Sequence, residues 1–402
     1  MASSETRPLA ALLRRGEVGL AMAVVVVAGL TIALDPLRTY VVNPGDSFVE
    51  IVRQTAMLGI FALGATVVII AGGIDLSVGS MIAFSGSVCA ALLLWLVPEK
   101  LHNDQPIGPG VIALAIAGTL VVGFLVGSLH AWLITVVGLP PFIATLATLV
   151  GLRSLSRALV ESVTASVIGG AKAQIEIRDA QFRYLATSVW IPAVVFALLA
   201  LGTWILMTRT VVGRHLYALG GNEAATRLSG IRTDRLKWLA YCLGAIFSSI
   251  AGILYVGEQS VAAPQTLGRG YELNAIAAAV VGGASLQGGA GTIPGTVLGC
   301  LFLRVVIDGI AKIIKTGADV YEGLIVGMVV VVAVALSQVR QARGGAARFF
   351  PGPLGVVTIV NLTVLAGTVS MLLSGRTTAI TIGLVVLVVC SALATVERKR
   401  MN

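Results

Sequence analysis

The chain has 402 residues, 57% of them hydrophobic and only 12% charged, with a formal net charge of +9. Soluble domains are about a quarter charged, so the composition excludes a soluble enzyme, a DNA-binding protein and a disordered scaffold. A mean hydropathy of +0.96 instead defines an all-α polytopic membrane protein.

Crossing roughly 30 Å of hydrocarbon takes a helix of about 20 apolar residues. Windows of that kind predict spans at 18–34, 51–71, 78–97, 108–132, 140–160 and 189–207. The second half adds 238–257, 273–287, 291–311, 320–338, 354–373 and 377–396. The first window follows Arg14 and Arg15 like a signal peptide, but no small-residue cleavage site follows it, so we read a retained span. Lys and Arg mark the cytoplasmic loops. They concentrate in the N-terminal stretch (Arg7, Arg14, Arg15), in loop 208–237, in loop 339–353 and in the tail, whereas 35–50 is net negative. Twelve crossings put all four basic regions on one side, the cytoplasm, together with both termini.

Some segments do not read as plain spans. Leu273–Gln287 is short and ends beyond Gly282-Gly283, Gly72–Gly79 interrupts the second and third spans, and Pro140-Pro141 opens the fifth. Irregular backbone at membrane depth persists only where protein buries it or a watery path hydrates it. Segments 72–79 and 282–289 echo each other as G-G-x-x-L-x-x-G. The polar stretch 160–188 is either a small external platform or a flexible loop.

No G-x-x-x-x-G-K-[ST] loop is present, so ATP binding by that route is excluded. No catalytic constellation is visible. Cys89, Cys242, Cys300 and Cys390 all sit in apolar runs as free thiols, and His102, His130 and His215 are too scattered for a metal. We therefore expect no enzyme activity, cofactor or metal site.

The most informative stretch lies in the basic loop. Asn222 suits a helix N-cap, Glu223 the positive end of the helix, and Gly230 the stop. A helix of about two turns is marginal alone in water, so either the membrane surface or a groove on a partner protein holds it.

These residues carry a resemblance. A-L-G-G-N-E-A-A-T-R-L-S-G-I (218–231) resembles the coupling segment of ATP-binding-cassette importer permeases, in the branch that serves ribose, xylose and similar sugars. Arg53-Gln54-Thr55, G-G-I-D-L-S-V-G-S (72–80), P-F-I-A-T-L-A-T-L (141–149) and G-G-A-S-L-Q-G-G-A-G-T-I-P-G-T (282–296) follow that branch in order, and the likeness covers about 18–338. Branched-chain amino-acid permeases share the layout. The resemblance implies a type II importer-like transmembrane domain with broken helices, about ten core spans in all. It also implies a second permease subunit, a cytoplasmic ATPase on another chain and a periplasmic or surface binding protein, with no nucleic acid. Carried onto this chain, Gly221, Asn222, Glu223, Ala224, Ala225, Arg227 and Gly230 would contact the ATPase. The domain plan is then a cytoplasmic segment 1–17, a core 18–338 and a basic linker 339–353. A two-span hairpin 354–396 that the family lacks and a tail 397–402 complete it.

Candidate path residues are Asp75, Phe142, Thr145, Thr148 and Asn274. Asp75 either caps the helix starting at Leu76 or coordinates a solute, since intramembrane acids are functional suspects. The other four offer the uncharged hydrogen-bonding groups and aromatic face a sugar needs. Arg304 and Asp308, four apart, are expected to neutralise each other. Arg53 is expected to snorkel, and Arg153 and Arg157 to do the same or meet a binding protein. The alternatives are a secondary transporter driven by ions through Asp75 or Asp308, or an importer of branched-chain amino acids or nucleosides.

Overall fold

The computed structural model describes residues 16–103, 105–313, 323–324, 326–328, 331, 352–374 and 376–399. The predicted span 320–338, the linker 339–353, the N-terminal segment and the last residues of the tail lie wholly or mostly outside the described residues. The chain divides into two compact units, one up to Val334 and one from Ala335.

In the first unit, helix α1 (Gly16–Leu34) is followed by the short α2 (Thr39–Val42), the long α3 (Pro44–Ile70) and α4 (Val78–Leu96). After α5 (Pro98–His102) come α6 (Pro109–Thr135) and α7 (Pro141–Ile168). Pro44, Pro98, Pro109 and Pro141 each sit at the start of a helix, where the missing N–H costs nothing and the fixed φ is already helical. Strand β1 (Ile175–Glu176), α8 (Ala180–Thr187), α9 (Trp190–Arg209), α10 (Val211–Gly221), α11 (Glu223–Leu228) and α12 (Thr233–Gln259) follow. Strand β2 (Val261–Ala262), α13 (Tyr271–Val281) and α14 (Ile293–Ile313) complete the described core. Among the described residues, eight helices are long and apolar enough to cross a membrane.

Ten of the twelve predicted spans coincide with helices, and the span 320–338 lies mostly outside the described residues. Segment 273–287 needs correction, because α13 stops at Val281 and 282–292 is irregular. At 1.5 Å per residue its 11 residues reach only about 16 Å, half a bilayer. Gly283 turns away at φ 96°, a left-handed conformation that favours glycine.

Helices α3, α4 and α12 form the buried centre. Small residues let their backbones approach, as in membrane bundles generally. A side chain on Gly127 of α6 would meet the α12 backbone at Tyr241 and Cys242, and one on Gly64 of α3 would meet Gly244. Helix α1 packs on α14, where Thr31 lies against Gly309.

The stretch 160–188 forms a platform. Helix α7 runs on to Ile168, β1 pairs antiparallel with β2 at Ile175–Ala262 and Glu176–Val261, and α8 buries Phe182 and Ala186 against the end of α12. Asp179 holds the platform, since one carboxylate oxygen caps α8 at the Phe182 amide (2.7 Å) and the other accepts from the Ile107 amide (2.9 Å). Asp179→Ala is expected to destabilise the chain by about 1–3 kcal/mol. A lower melting temperature of the detergent-purified protein checks this.

The second unit contains α15 (Gly352–Ser374) and α16 (Arg376–Lys399), packed closely where Gly383 meets Gly367. They coincide with the predicted spans 354–373 and 377–396.

Candidate functional site

Three features stand out: a polar cavity, the breaks in the helices, and the basic loop.

The cavity is small, about 240 Å³, and four helices contribute to it in i, i+3 or i+4 steps. Gln54, Leu58 and Phe61 come from α3, Tyr255 and Glu258 from α12, Tyr271 and Asn274 from α13, and Arg304 and Ile307 from α14. Such spacing places each pair on one helix face. Phe61 and Tyr271 stack with centroids 5.7 Å apart and planes at 8°, and Tyr255 leans on Tyr271 at 4.9 Å. Glu258 is the polar anchor. It accepts from Gln54 Nε2 (2.6 Å) and pairs with Arg53 at 3.1 Å, while Arg53 also pairs with Glu50. Arg53 is therefore built into an ion-pair network, which corrects the expectation that it snorkels. A larger groove of about 600 Å³ lies by the platform, lined by Glu99, Lys172 and Arg178 among others. It sits at the rim, away from the broken helices.

Arg304 lines the small cavity and makes no ion pair among the described residues. Its expected partner Asp308 accepts instead from Lys312 Nζ (2.9 Å) and from the Tyr40 hydroxyl (2.6 Å). Burial first, then the carboxylate of Asp308, raises the Tyr40 phenol above its ordinary range. Arg153 is likewise engaged, donating to the carbonyls of Pro264 (2.9 Å) and Leu267 (2.6 Å) ahead of α13. Arg157 pairs with Glu161 at 2.6 Å, both partly exposed.

The candidate path residues separate into three places. Asn274 lines the cavity. Asp75, Thr145 and Thr148 gather at the first break. Asp75 accepts from the Ser77 amide (2.8 Å) and hydroxyl (2.6 Å), which closes the turn that starts α4. Thr145 donates within reach of the Ile74 carbonyl (3.2 Å), and Thr148 meets His130 Nε2 at 2.7 Å. Phe142 is half exposed on the surface of α7.

The two glycine breaks meet at one junction. The Gly289 amide donates to the Ile70 carbonyl at 2.9 Å, and the Tyr217 hydroxyl to the Gly291 carbonyl at 2.8 Å. Gly220, near the end of α10, is wedged between Ile70, Gly72 and Gly289, and a methyl group there would run into backbone on every side. The echo between 72–79 and 282–289 therefore has a spatial counterpart: both segments grip the same turn of α10.

Beyond Gly220 the chain turns outward. The Asn222 side chain accepts from the Ala225 amide (2.9 Å), and Gly230 ends the turn at φ 80°. Helix α11 has six residues, a little shorter than the two turns predicted. Glu223 pairs with Lys237 (2.7 Å) and Arg227 (3.0 Å). Gly221, Asn222, Ala224, Ala225, Arg227 and Gly230 are exposed, and Leu228 presents an apolar tip that is 89% exposed. Burial raises the Tyr217 phenol, consistent with α10 being the embedded half of this hairpin and α11 the free half.

A bundle of membrane-length helices, interrupted by two irregular breaks that meet beside an exposed capped loop, with a small polar cavity between four helices, defines a multi-pass membrane permease. Residues 47–337 match the family described as branched-chain amino acid transport system / permease component, and the chain belongs to that family. It is 37% identical over 294 residues to the ribose import permease protein of Escherichia coli strain K12, covering 72% of this chain and 85% of that one. The ribose import permease protein of Bacillus subtilis strain 168 is 33% identical over 75% of this chain and 89% of its own length. The galactose/methyl galactoside import permease protein of E. coli K12 is 30% identical over 81% and 95%. No solved structure matches the chain.

Proposed function

We propose that the chain is the membrane-path subunit of an ATP-binding-cassette importer for a monosaccharide or related polyol. A binding protein on the outer face would deliver the solute, and a separate ATPase would drive import. The observation that carries this reading is the joining of two ends by one piece of backbone. At one end is a cavity with an aromatic floor and neutral amides, at the other an exposed capped turn, and the glycine junction links that turn to both broken helices. Aromatic faces and amides suit a sugar ring, and the three relatives named above are sugar import permeases.

In this reading residues 18–338 form the core of one half of a two-subunit pore, with the basic loops and both termini in the cytoplasm of the inner membrane. The hairpin 354–396 is an addition beyond the residues 47–337 that match the family. Residues 221–230 dock in a cleft of the ATPase, with Leu228 as the apolar contact flanked by Ala224 and Ala225. An ion-driven transporter is disfavoured, because Asp75 is held by Ser77 and Asp308 by Lys312 and Tyr40.

The test is a mild-detergent pull-down of the tagged chain, paired with uptake of labelled sugars. Wild type is expected to retain a stoichiometric ATPase. Glu223→Arg and Gly221→Trp are expected to lose it while inserting and folding normally, since exposed ion pairs contribute only about 0–1 kcal/mol and Gly221 has open space beside it. Full ATPase retention in both variants would remove the docking assignment. Uptake of branched-chain amino acids in place of sugars would change the substrate class while leaving the docking intact.

A further inference from the structure

At the first break, three titratable side chains meet from three elements. Asp75 stands on the irregular segment, His130 on α6 and Tyr241 on α12, each at most 4% exposed. The His130 and Tyr241 rings are 6.2 Å apart between centroids, and the Tyr241 hydroxyl lies against Gly73, two residues before Asp75. Two buried polar atoms here, His130 Nδ1 and Tyr241 Oη, have no protein partner. Unpaired buried polar atoms cost stability, and such sites are generally completed by an ordered ligand.

The hydrogen-bond roles identify the missing group. The Thr148 hydroxyl has one proton and lies within reach of the Ala144 and Thr145 carbonyls (3.2 and 3.0 Å). Towards His130 it therefore accepts from Nε2–H, which leaves Nδ1 as a bare acceptor. Tyr241 Oη offers a donor and lies against Gly73, where any side chain would fill its space. Asp75 uses Oδ1 for Ser77, and Oδ2 lies towards Gly244, one turn beyond Tyr241 on the same face of α12. The set needs one molecule that accepts once and donates twice.

We propose that Asp75, His130 and Tyr241 hold a buried water, which accepts from Tyr241 Oη and donates to His130 Nδ1 and Asp75 Oδ2. Three partners are typical of a structural water. A metal or alkali ion is a poorer fit, since such ions take shells of several oxygens and this site offers one carboxylate oxygen, one phenol and one imidazole nitrogen. The water ties the irregular segment to α6 and α12, directly beside Gly72 and the junction with α10. It therefore seats the part of the path that the exposed loop would move. Asp75, His130 and Tyr241 are positioning residues in this scheme, and the site stands whatever solute is carried.

The test uses the intact purified chain. Tyr241→Phe keeps the ring and removes only the hydroxyl. With the bridging water, the variant is expected to melt several degrees below wild type, and its effect is expected to be non-additive with Asp75→Asn because the two share one partner. A cryo-EM map that resolves ordered waters should place one density between the three side chains of the wild type. An unchanged or higher melting temperature for Tyr241→Phe, as expected when an unpaired hydroxyl is deleted, would overturn the proposal. So would a water-resolving map with nothing there. A wild-type melting temperature that rises with sodium but not potassium would replace the water with a cation and equally overturn it.

Discussion

Gly220→Val is expected to abolish assembled, transport-competent protein, whereas Gly221→Ala, one residue on, is expected to be close to wild type. The two glycines share composition, loop and neighbours in sequence, and differ in what surrounds them. A Cβ on Gly220 would collide with the Ile70 carbonyl oxygen and with the Gly289 and Gly72 amides, while one on Gly221 would meet nothing within 4 Å. Overpacking against movable side chains costs about 1–3 kcal/mol. Here the obstacles are backbone groups held by the Gly289–Ile70 hydrogen bond, so relief requires parting α10 from both breaks and the effect should exceed that range. Gly220→Ala should fall between the two, expressing but melting lower and importing slowly. Membrane-fraction yield and the melting temperature of the purified chain measure the series. A Gly220→Val protein that matched wild type in both would remove the junction as the point where the loop grips the path.

Local signals in the sequence are carried through to the structure, and long-range ones are not. Length, hydropathy and proline at the first helical turn set the spans, because a membrane helix satisfies its own backbone and needs no partner to exist. The Asn222 cap and the Gly230 stop were legible for the same reason: both are decided within eight residues. Segment 273–287 was legible as an irregular span from its length and Gly282-Gly283, but its helical end was placed too late, because an apolar run reads alike whether its last residues are helical or irregular. The Arg304–Asp308 expectation failed on a tie. Residues 304 and 312 both lie four from Asp308, and the choice was made by Tyr40, 268 positions away, whose hydroxyl and ring sit beside Lys312. The cavity shows the same limit. Arg53-Gln54-Thr55 was visible as a motif, but Tyr255, Glu258 and Tyr271 stand out only once α3, α12 and α13 are seen to converge. His130 looked like an isolated histidine, and its neighbours at the break come from three other segments.

That convergence defines a second large effect. Asn274→Ala and Tyr271→Ala are each expected to lower sugar uptake about tenfold, the equivalent of about 1.4 kcal/mol, while the retained ATPase in a pull-down stays at the wild-type level. Tyr271 is the shared member of the aromatic cluster, stacked on Phe61 and tilted against Tyr255, so its removal takes away the flat face a sugar ring would slide across. Aromatic pairs contribute about 0.5–1.5 kcal/mol beyond area burial, which sets the scale, and Tyr271→Phe should recover most of the loss if the face rather than the hydroxyl matters. Phe142→Ala supplies the contrast. Phe142 lies half exposed on α7 away from the cavity, so its uptake should remain within about twofold of wild type, within the small effects usual for exposed sites. Initial-rate uptake in reconstituted vesicles with the ATPase and binding protein present separates these outcomes. Equal losses at Phe142 and Tyr271 would move the path from the α3–α12–α13–α14 cavity to the face of α7. A loss at Tyr271 accompanied by loss of the ATPase would mean that the cavity and the exposed loop cannot be perturbed separately. In that case solute contact and ATP-driven movement would share one element, the short helix α13, whose far end runs into the glycine junction.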